Sequence, residues 1–348
     1  MRKISRTSGE SFALGTLPKG CRPCIKGRKT VVFVTGICNL NCWYCSISKK
    51  RWQKDEVWAN EARIKNTRQL ISEIRKSGST GAGMTGGEPL TRLARTARLI
   101  RILKKRFGKD FHLHLYTNGT IDGKALKKLY EAGLDEIRIH TNQELVKEAL
   151  KFDWDVGMEV PVIPGRKKQL CRLADWLDAA GAKFLNLNEL EFSERNVEPM
   201  KKLGMVLSSG SLTAVRGSRN TALSVLRYAA GNAKNLNVHF CTARLKLDHQ
   251  LRNRLANRAR NIKKPFEKVT KDGFLLKGVV LGTKKQTEKE MKRLKVPARM
   301  FSYNKLRKRM QTSEAIARSI ARKTKLKVGV VEEYPIDDAW DFEFTPLN

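Results

Sequence analysis

The chain has 348 residues, 41% of them hydrophobic, with 70 Lys and Arg against 34 Asp and Glu and a formal charge of +36. Its apolar fraction excludes a disordered chain, and its length accommodates one large α/β domain and a smaller one. The charge exceeds what solubility requires and repels itself, so it points to a polyanionic partner rather than to the fold.

Residues 1–30 show no clear periodicity and read as a basic arm carrying Cys21 and Cys24. From residue 31, strand and helix signals alternate. VVFVTG reads as a buried strand, 60–76 as a helix, and TGAGMTGG as the end of a second strand. A helix over 92–107 follows, with Leu93, Ala97, Ile100 and Leu103 on one face, then the alternating strand FHLHLYTNG. Helices over 124–132, 144–150 and 168–180 separate the strands LDEIRIH, WDVGMEVPV and KFLNLNEL. Residues 192–218, rich in Ser, Gly and charge, read as a lid, and VHFC at 238–241 as a short late strand. Strand–helix alternation at this pitch predicts a parallel sheet. The expected organisation is an arm (1–30), an α/β core (31–243), a basic helical linker (244–262) and a small basic α+β domain (263–348). Within the last, strand runs flank Asp272-Gly273, a hairpin signal. A helix over 313–324 starts on the N-cap Ser313, and KVGVVEEYPI and WDFEFTPL form a final strand pair.

Cys38, Cys42 and Cys45 stand at Cys-x3-Cys-x2-Cys spacing in the run TGICNLNCWYCS. Three thiolates on one loop suit a [4Fe–4S] cube whose fourth iron stays open, since such clusters ordinarily take four cysteines. The same triplet could be most of a zinc site or inert buried thiols. The opening residues lack the apolar region of a secretory signal, no segment has the length of an uninterrupted apolar bilayer span, and the cysteine count is odd. A reduced cytosol, with no membrane association, is therefore the expected compartment.

The cysteine run resembles the cluster loop of the radical S-adenosylmethionine (radical SAM) enzymes: it follows an apolar strand, and the aromatic Tyr44 precedes the third cysteine. Some forty residues on, Met84-Thr85-Gly86-Gly87-Glu88-Pro89 is similar to that superfamily's GGEP turn. The resemblance implies a partial (β/α)6 TIM-type barrel with chemistry at the C-terminal ends of its strands. It also implies S-adenosylmethionine chelated to the open iron and split, after one-electron reduction, to a 5′-deoxyadenosyl radical, and a donor such as ferredoxin or flavodoxin. Gly86, Gly87, Glu88 and Pro89, with Tyr44 and Asn118, are the cofactor-binding residues that it implies. Asn118 is equally at home at a strand-to-helix turn because it tolerates left-handed geometry. The runs around residues 17–48, NLNELEFSERN and HFCTARLKLDHQ resemble more closely an archaeal-type family described as related to the pyruvate formate-lyase activating enzyme.

His140 and Glu189, at strand ends, are the candidates for catalytic roles, Glu159 is a titratable group of the same kind, and Glu189 and Asn188 at the end of the sixth strand are the candidate substrate contacts. Cys21 and Cys24 cannot complete a metal site alone. His239 and Cys241 fall on one face of the late strand and are their nearest complement, which makes the four a candidate zinc or second iron–sulfur site. Cys171 lies among Leu170, Leu173 and Ala174 and reads as core.

Residues 244–327 hold 27 Lys or Arg against 6 Asp or Glu, and residues 1–30 hold 8 against 1. Phosphate neutralisation makes RNA, tRNA or rRNA, the first expectation for the partner of these regions and for the substrate. The alternative is a protein substrate, as for an activase that installs a glycyl radical on a partner.

Overall fold

Strands joined through a helix pair in parallel, because a crossover of a dozen or more residues brings the chain back to the same end of the sheet. In the computed structural model, which describes residues 1–120 and 123–348, this rule organises the first of two units, residues 1–74 and 79–251. The unit opens with β1 (Ile4–Arg6), β2 (Phe12–Leu14), α1 (Cys21–Ile25), β3 (Lys29–Phe33), β4 (Val57–Ala59) and β5 (Ala62–Ile64). It continues with α2 (Thr67–Lys76), β6 (Gly81–Thr85), α3 (Leu93–Phe107), β7 (His112–Thr117), α4 (Gly123–Glu131), β8 (Glu136–Ile139) and α5 (Gln143–Ala149). It ends with β9 (Asp155–Val162), α6 (Lys167–Ala179), β10 (Phe184–Glu189), α7 (Val197–Lys202), α8 (Ser218–Asn232) and β11 (Asn237–Cys241). The sheet order is β1-β2-β11-β10-β9-β8-β7-β6-β3-β4-β5, parallel from β11 through β3 and antiparallel at both margins.

The expected partial barrel is present, with β11 as a seventh parallel strand. Period-two alternation decides what fills it. Met84, Leu113, Leu115, Ile137, Ile139, Met158, Leu185, Leu187, Val238 and Phe240 face the helices and build the apolar core. The intervening residues Thr85, Tyr116, Arg138, Glu159 and Asn188, from five successive strands, line one cavity. Side chains from one face of five strands meet around a common space only where the sheet curls.

The second unit comprises residues 75–78 and 252–348. It contains α9 (Arg252–Ile262), β12 (Lys268–Val269), β13 (Leu275–Leu281), α10 (Lys284–Arg293), β14 (Phe301–Asn304), β15 (Arg309–Thr312), α11 (Glu314–Ile320), β16 (Val328–Glu333) and β17 (Asp341–Pro346). The strands form an antiparallel sheet in the order β14-β15-β13-β16-β17, with β12 on β13. Ser313 caps α11, its hydroxyl accepting from the Ile316 amide at 3.2 Å, and Thr283 and Gln286 form a full capping box on α10. Lys277, 2% exposed, is held by Glu267 at 2.6 Å and Glu333 at 2.8 Å.

Three regions differ from the sequence reading. Residues 1–30 are not an arm: β2 pairs with β11, and the Thr242 hydroxyl donates to the Gly9 carbonyl at 2.6 Å, so backbone pairing binds them to the sheet. Residues 60–76 are not one helix, because Asn60 takes φ 52° and turns β4 back into β5 before α2 starts at Thr67. Residues 244–262 are not a linker: Leu245–Leu251 form a π-helical run in the first unit, and α9 belongs to the second. Among the described residues no helix is long and apolar enough to cross a membrane.

Removing one member of a buried ion pair strands its partner, at a cost of about 3–5 kcal/mol. Lys277→Ala leaves the buried Glu267 without its cation and is expected to lower the stability of the second unit by about that much in urea unfolding of the full chain. The double variant Glu267→Gln/Lys277→Met is expected to lose less, because no lone charge stays behind.

Candidate functional site

The three cysteines of the 38–45 run lie on the loop between β3 and β4 and line a cavity of about 270 Å³ at the C-terminal ends of the strands. The loop has no strand or helix of its own and takes its shape from neighbours. The Gly87 amide donates to the Thr35 carbonyl and the Glu88 amide to the Ile37 carbonyl, each at 2.8 Å. These bonds seat the GGEP turn directly under the cysteines. Gly86 has φ 156°, and a Cβ on it would collide with the Thr35 carbonyl; one on Gly87 would collide with the Ile37 carbonyl. Only glycine permits this approach. From the other side Asn196 donates to the Tyr44 carbonyl at 3.0 Å. Arg195 donates to the Cys42 carbonyl at 3.4 Å and stacks on Trp52 at 3.8 Å.

Gly87, Tyr44 and Asn118 line the cavity, whereas Gly86, Glu88 and Pro89 stand behind its wall. The Glu88 carboxylate is only 1% exposed and fully occupied by the protein. It accepts from the Leu90 amide at 3.0 Å, the Thr117 hydroxyl at 3.0 Å and the Asn118 amide at 2.6 Å. Burial pushes its pKa up and these donors pull it back. Its geometry is that of a clamp between the ends of β6 and β7. The Asn118 side-chain amide reaches Asn39 at 2.7 Å and Cys38 Sγ at 4.0 Å, so it is more than a turn residue.

His140 is bonded at both ring nitrogens. A carbonyl can only accept, so Nδ1 donates to the Glu159 carbonyl at 2.8 Å. In the neutral imidazole Nε2 is then an acceptor, and the Tyr44 hydroxyl donates to it at 2.9 Å. Glu189, 7% exposed, accepts from the Ala243 amide at 2.8 Å, and burial raises its pKa.

Deeper in, Arg138 is 2% exposed. Its guanidinium donates to Glu136 at 2.6 Å, Glu159 at 2.7 Å, the Tyr116 hydroxyl at 3.2 Å and Cys21 Sγ at 3.4 Å. Burial alone would raise the Glu159 pKa, but Arg138 and the amides of Asn186 and Asn188 hold it down at about 2. Lys246 pairs with Glu191 on the same wall. Sequence reasoning missed Arg138, Tyr116, Lys246, Glu191 and Arg195. The first two sit on strands that it recognised, but alternation alone does not say which face is inward; the other three come from segments without a period.

Comparison with known proteins decides the family. The radical SAM superfamily pattern matches residues 32–165, and a domain of unknown function (DUF8061) matches residues 273–347. The chain is 38% identical over 370 residues to a Methanocaldococcus jannaschii protein named "Putative glycyl-radical enzyme activating enzyme MJ0021", covering 100% of this chain and 96% of that protein. The chain belongs to the radical SAM superfamily. Membership makes it an enzyme and implies a [4Fe–4S] cluster and S-adenosylmethionine as its cofactors. A more partial relative is the GTP 3′,8-cyclase of Corynebacterium glutamicum strain R, 36% identical over 115 residues, 31% of this chain and 29% of that one. Among solved structures, Streptococcus suis SuiB bound to S-adenosylmethionine aligns with a TM-score of 0.44 at 14% identity over 62% of this chain and 50% of that one.

The residues fit the cofactors this superfamily uses. The loop offers three thiols on one cavity, the Leu40 amide already donates to Cys38 Sγ at 3.4 Å, and the glycine turn beneath has no side chains to obstruct a ligand. A cube binds each cysteine to a different iron. Its ligands therefore need not converge on one point, and among the described residues no three His, Cys, Asp or Glu side chains do.

Glu159 gives the site an acid limit. Its folded pKa lies below its ordinary 4.5, so its contribution to stability is complete above pH 4.5 and is lost as pH falls toward about 2. Glu159→Gln is expected to flatten that part of the stability curve, read by urea unfolding at stepped pH, and to lower the neutral-to-alkaline limb by a nearly pH-independent amount, because Arg138 loses one of its two carboxylates.

Proposed function

We propose that this enzyme opens S-adenosylmethionine reductively at the Cys38, Cys42 and Cys45 site and directs the resulting radical at a protein partner, in the manner of a glycyl-radical activase. The full-length similarity to the Methanocaldococcus jannaschii protein carries the substrate reading: it spans both units, so the relative has the second domain as well as the barrel. When bound and reduced, the cluster supplies one electron to the sulfonium, giving methionine and a 5′-deoxyadenosyl radical.

The chain's own residues do the rest. Gly87 leaves room for the methionyl end against bare backbone, and Glu88 fixes Asn118 beside Cys38. Tyr44 and His140 keep each other's protons in place at the wall. A main-chain glycine presents two flanking amides, and Asn188 and Glu189 at the strand ends are suitable partners for them. Electrons come from an external one-electron donor of the ferredoxin or flavodoxin class.

RNA is the second reading, and the charge of residues 244–327 favours it through counterion release. Anaerobic protein with dithionite and S-adenosylmethionine is expected to release 5′-deoxyadenosine, and Cys38→Ala, Cys42→Ala or Cys45→Ala to reduce it to background. Adding nuclease-treated extract of the source organism is expected to produce a glycyl-radical EPR doublet dependent on the enzyme. A modified nucleoside in RNA, with no such doublet, would replace the protein reading by the RNA one.

A further inference from the structure

A second cavity, of about 350 Å³, continues the barrel interior and shares the side chains of Thr85, Tyr116, Arg138, Glu159, Asn188 and Lys246 with the first. Cys21 and Cys24 line it from α1, and His239 and Cys241 from β11. More than two hundred residues of chain separate the two pairs, and the fold still brings them to one wall. β11 does so by pairing in register with β10, His239 beside Asn186 and Cys241 beside Asn188, so that both point inward with the asparagines.

These cysteines are not packed as small hydrophobes. Cys171 shows what that looks like, buried in the apolar core with Leu170, Ala174 and Leu177. Cys21 Sγ instead accepts from Arg138 at 3.4 Å and from Asn186 at 3.6 Å, and Cys241 Sγ from Gln250 at 3.8 Å. Lys29 and Lys246 line the same space. Burial raises the pKa of both the Cys21 and the Cys241 thiol, so what sets these sulfurs apart is their polar and cationic surroundings, not a free thiolate charge. His239 supplies the second, independent observation. It is 2% exposed, and neither Nδ1 nor Nε2 has a hydrogen-bond partner. A buried polar group without a hydrogen bond costs about 1–3 kcal/mol, so an imidazole with both nitrogens unpartnered on the lining of a polar cavity points to a ligand there.

We propose that Cys21, Cys24 and Cys241, with His239, hold a second iron–sulfur cluster in the barrel interior. The chemical class follows from the size and charge of the space, about 350 Å³ with Lys29, Arg138 and Lys246 on its lining. A cluster with thiolate ligands is anionic and spreads its ligands over several irons, so it suits this lining, whereas a single zinc ion with four donors within about 2.3 Å would leave most of the space unfilled. An imidazole in place of one thiolate makes the cluster less negative and raises its potential.

Iron and acid-labile sulfide per chain, with EPR and Mössbauer spectra, test this on anaerobically isolated full-length protein. The wild type is expected to carry more than the about four irons of one cube. The decisive variant is Cys38→Ala/Cys42→Ala/Cys45→Ala, which removes the first cluster and leaves the second site intact. It is expected to retain a cluster signal that S-adenosylmethionine does not perturb, and His239→Ala in that background is expected to change its g-values. The variant Cys21→Ser/Cys24→Ser/Cys241→Ser is expected to fall to about four irons while keeping its S-adenosylmethionine response. An iron-free but folded 38/42/45 variant, or stoichiometric zinc in it, would overturn the proposal. Neither result bears on S-adenosylmethionine cleavage, which the first cluster's own variants report.

Discussion

The Arg138 guanidinium, almost wholly out of water, holds this barrel together from within. A lone buried cation is too costly to persist, so its neighbours must answer it. Glu136 and Glu159 do, at 2.6 and 2.7 Å, with the Tyr116 hydroxyl and the Cys21 sulfur filling its remaining directions. Each of those groups sits on a different segment: β8 itself, β9, β7 and α1. One guanidinium therefore fixes the relative height of three strands and draws the helix that precedes β3 against the interior. The Glu159 carboxylate passes the constraint on, since it also takes the amides of Asn186 and Asn188 from β10, each at 2.8 Å.

Above that layer, order is imposed on a loop with no periodic structure to give it any. Residues 34–56 hang between β3 and β4, and they are gripped from two directions. Backbone bonds from Gly87 and Glu88 fix them from beneath, and Arg195 and Asn196 fix them from the segment after β10. Glu88 is the joint between these loops and the barrel, because its carboxylate binds Thr117 and Asn118 while its amide binds Ile37. A sequence motif recognised for contact with a ligand thus performs a second task. Its glycine makes room, and its glutamate holds the next strand's asparagine at the cysteine loop.

The cysteine triplet, the GGEP turn and six parallel strands were legible because each rests on a short-range signal: a fixed spacing or a local period. What was not legible depended on partners distant in sequence. Residues 1–30 lack a period since β1 and β2 are three residues each and are held by pairing, β2 on β11 and β1 on β2. The stretch from Val57 to Ile64 has helix-compatible composition, and the left-handed Asn60 that makes it a hairpin is stabilised by Val31, across the sheet: the Val31 amide donates to its side chain at 3.0 Å. The runs HLHLY, EIRI and FLNLN announced strands, yet alternation does not say which face is the interior. Polar residues at every second position look like a solvated face, and in a curled sheet they are the opposite. Arg138 was hidden for that reason, and so was the shared cavity that brings Cys21 to Cys241.

The same inversion bears on the charge. The cations that line the two cavities are answered locally: Arg138 by its carboxylates, Lys246 by Glu191, and Lys29 by the Tyr116 ring and by His114. Lys29 donates to His114 Nε2 at 2.8 Å, and burial and the lysine together push that imidazole's pKa well down, so it accepts as a neutral ring. Glu136, Glu159, Glu189 and Glu191 offset three cations there. The interior is thus close to electroneutral, and the excess of 36 positive charges belongs to the outside of the molecule. On the proposed function, that exterior charge serves encounter with the partner, since charge complementarity raises the rate at which an acidic surface is met, while the paired, nearly neutral cavity is where the reacting atom would be selected.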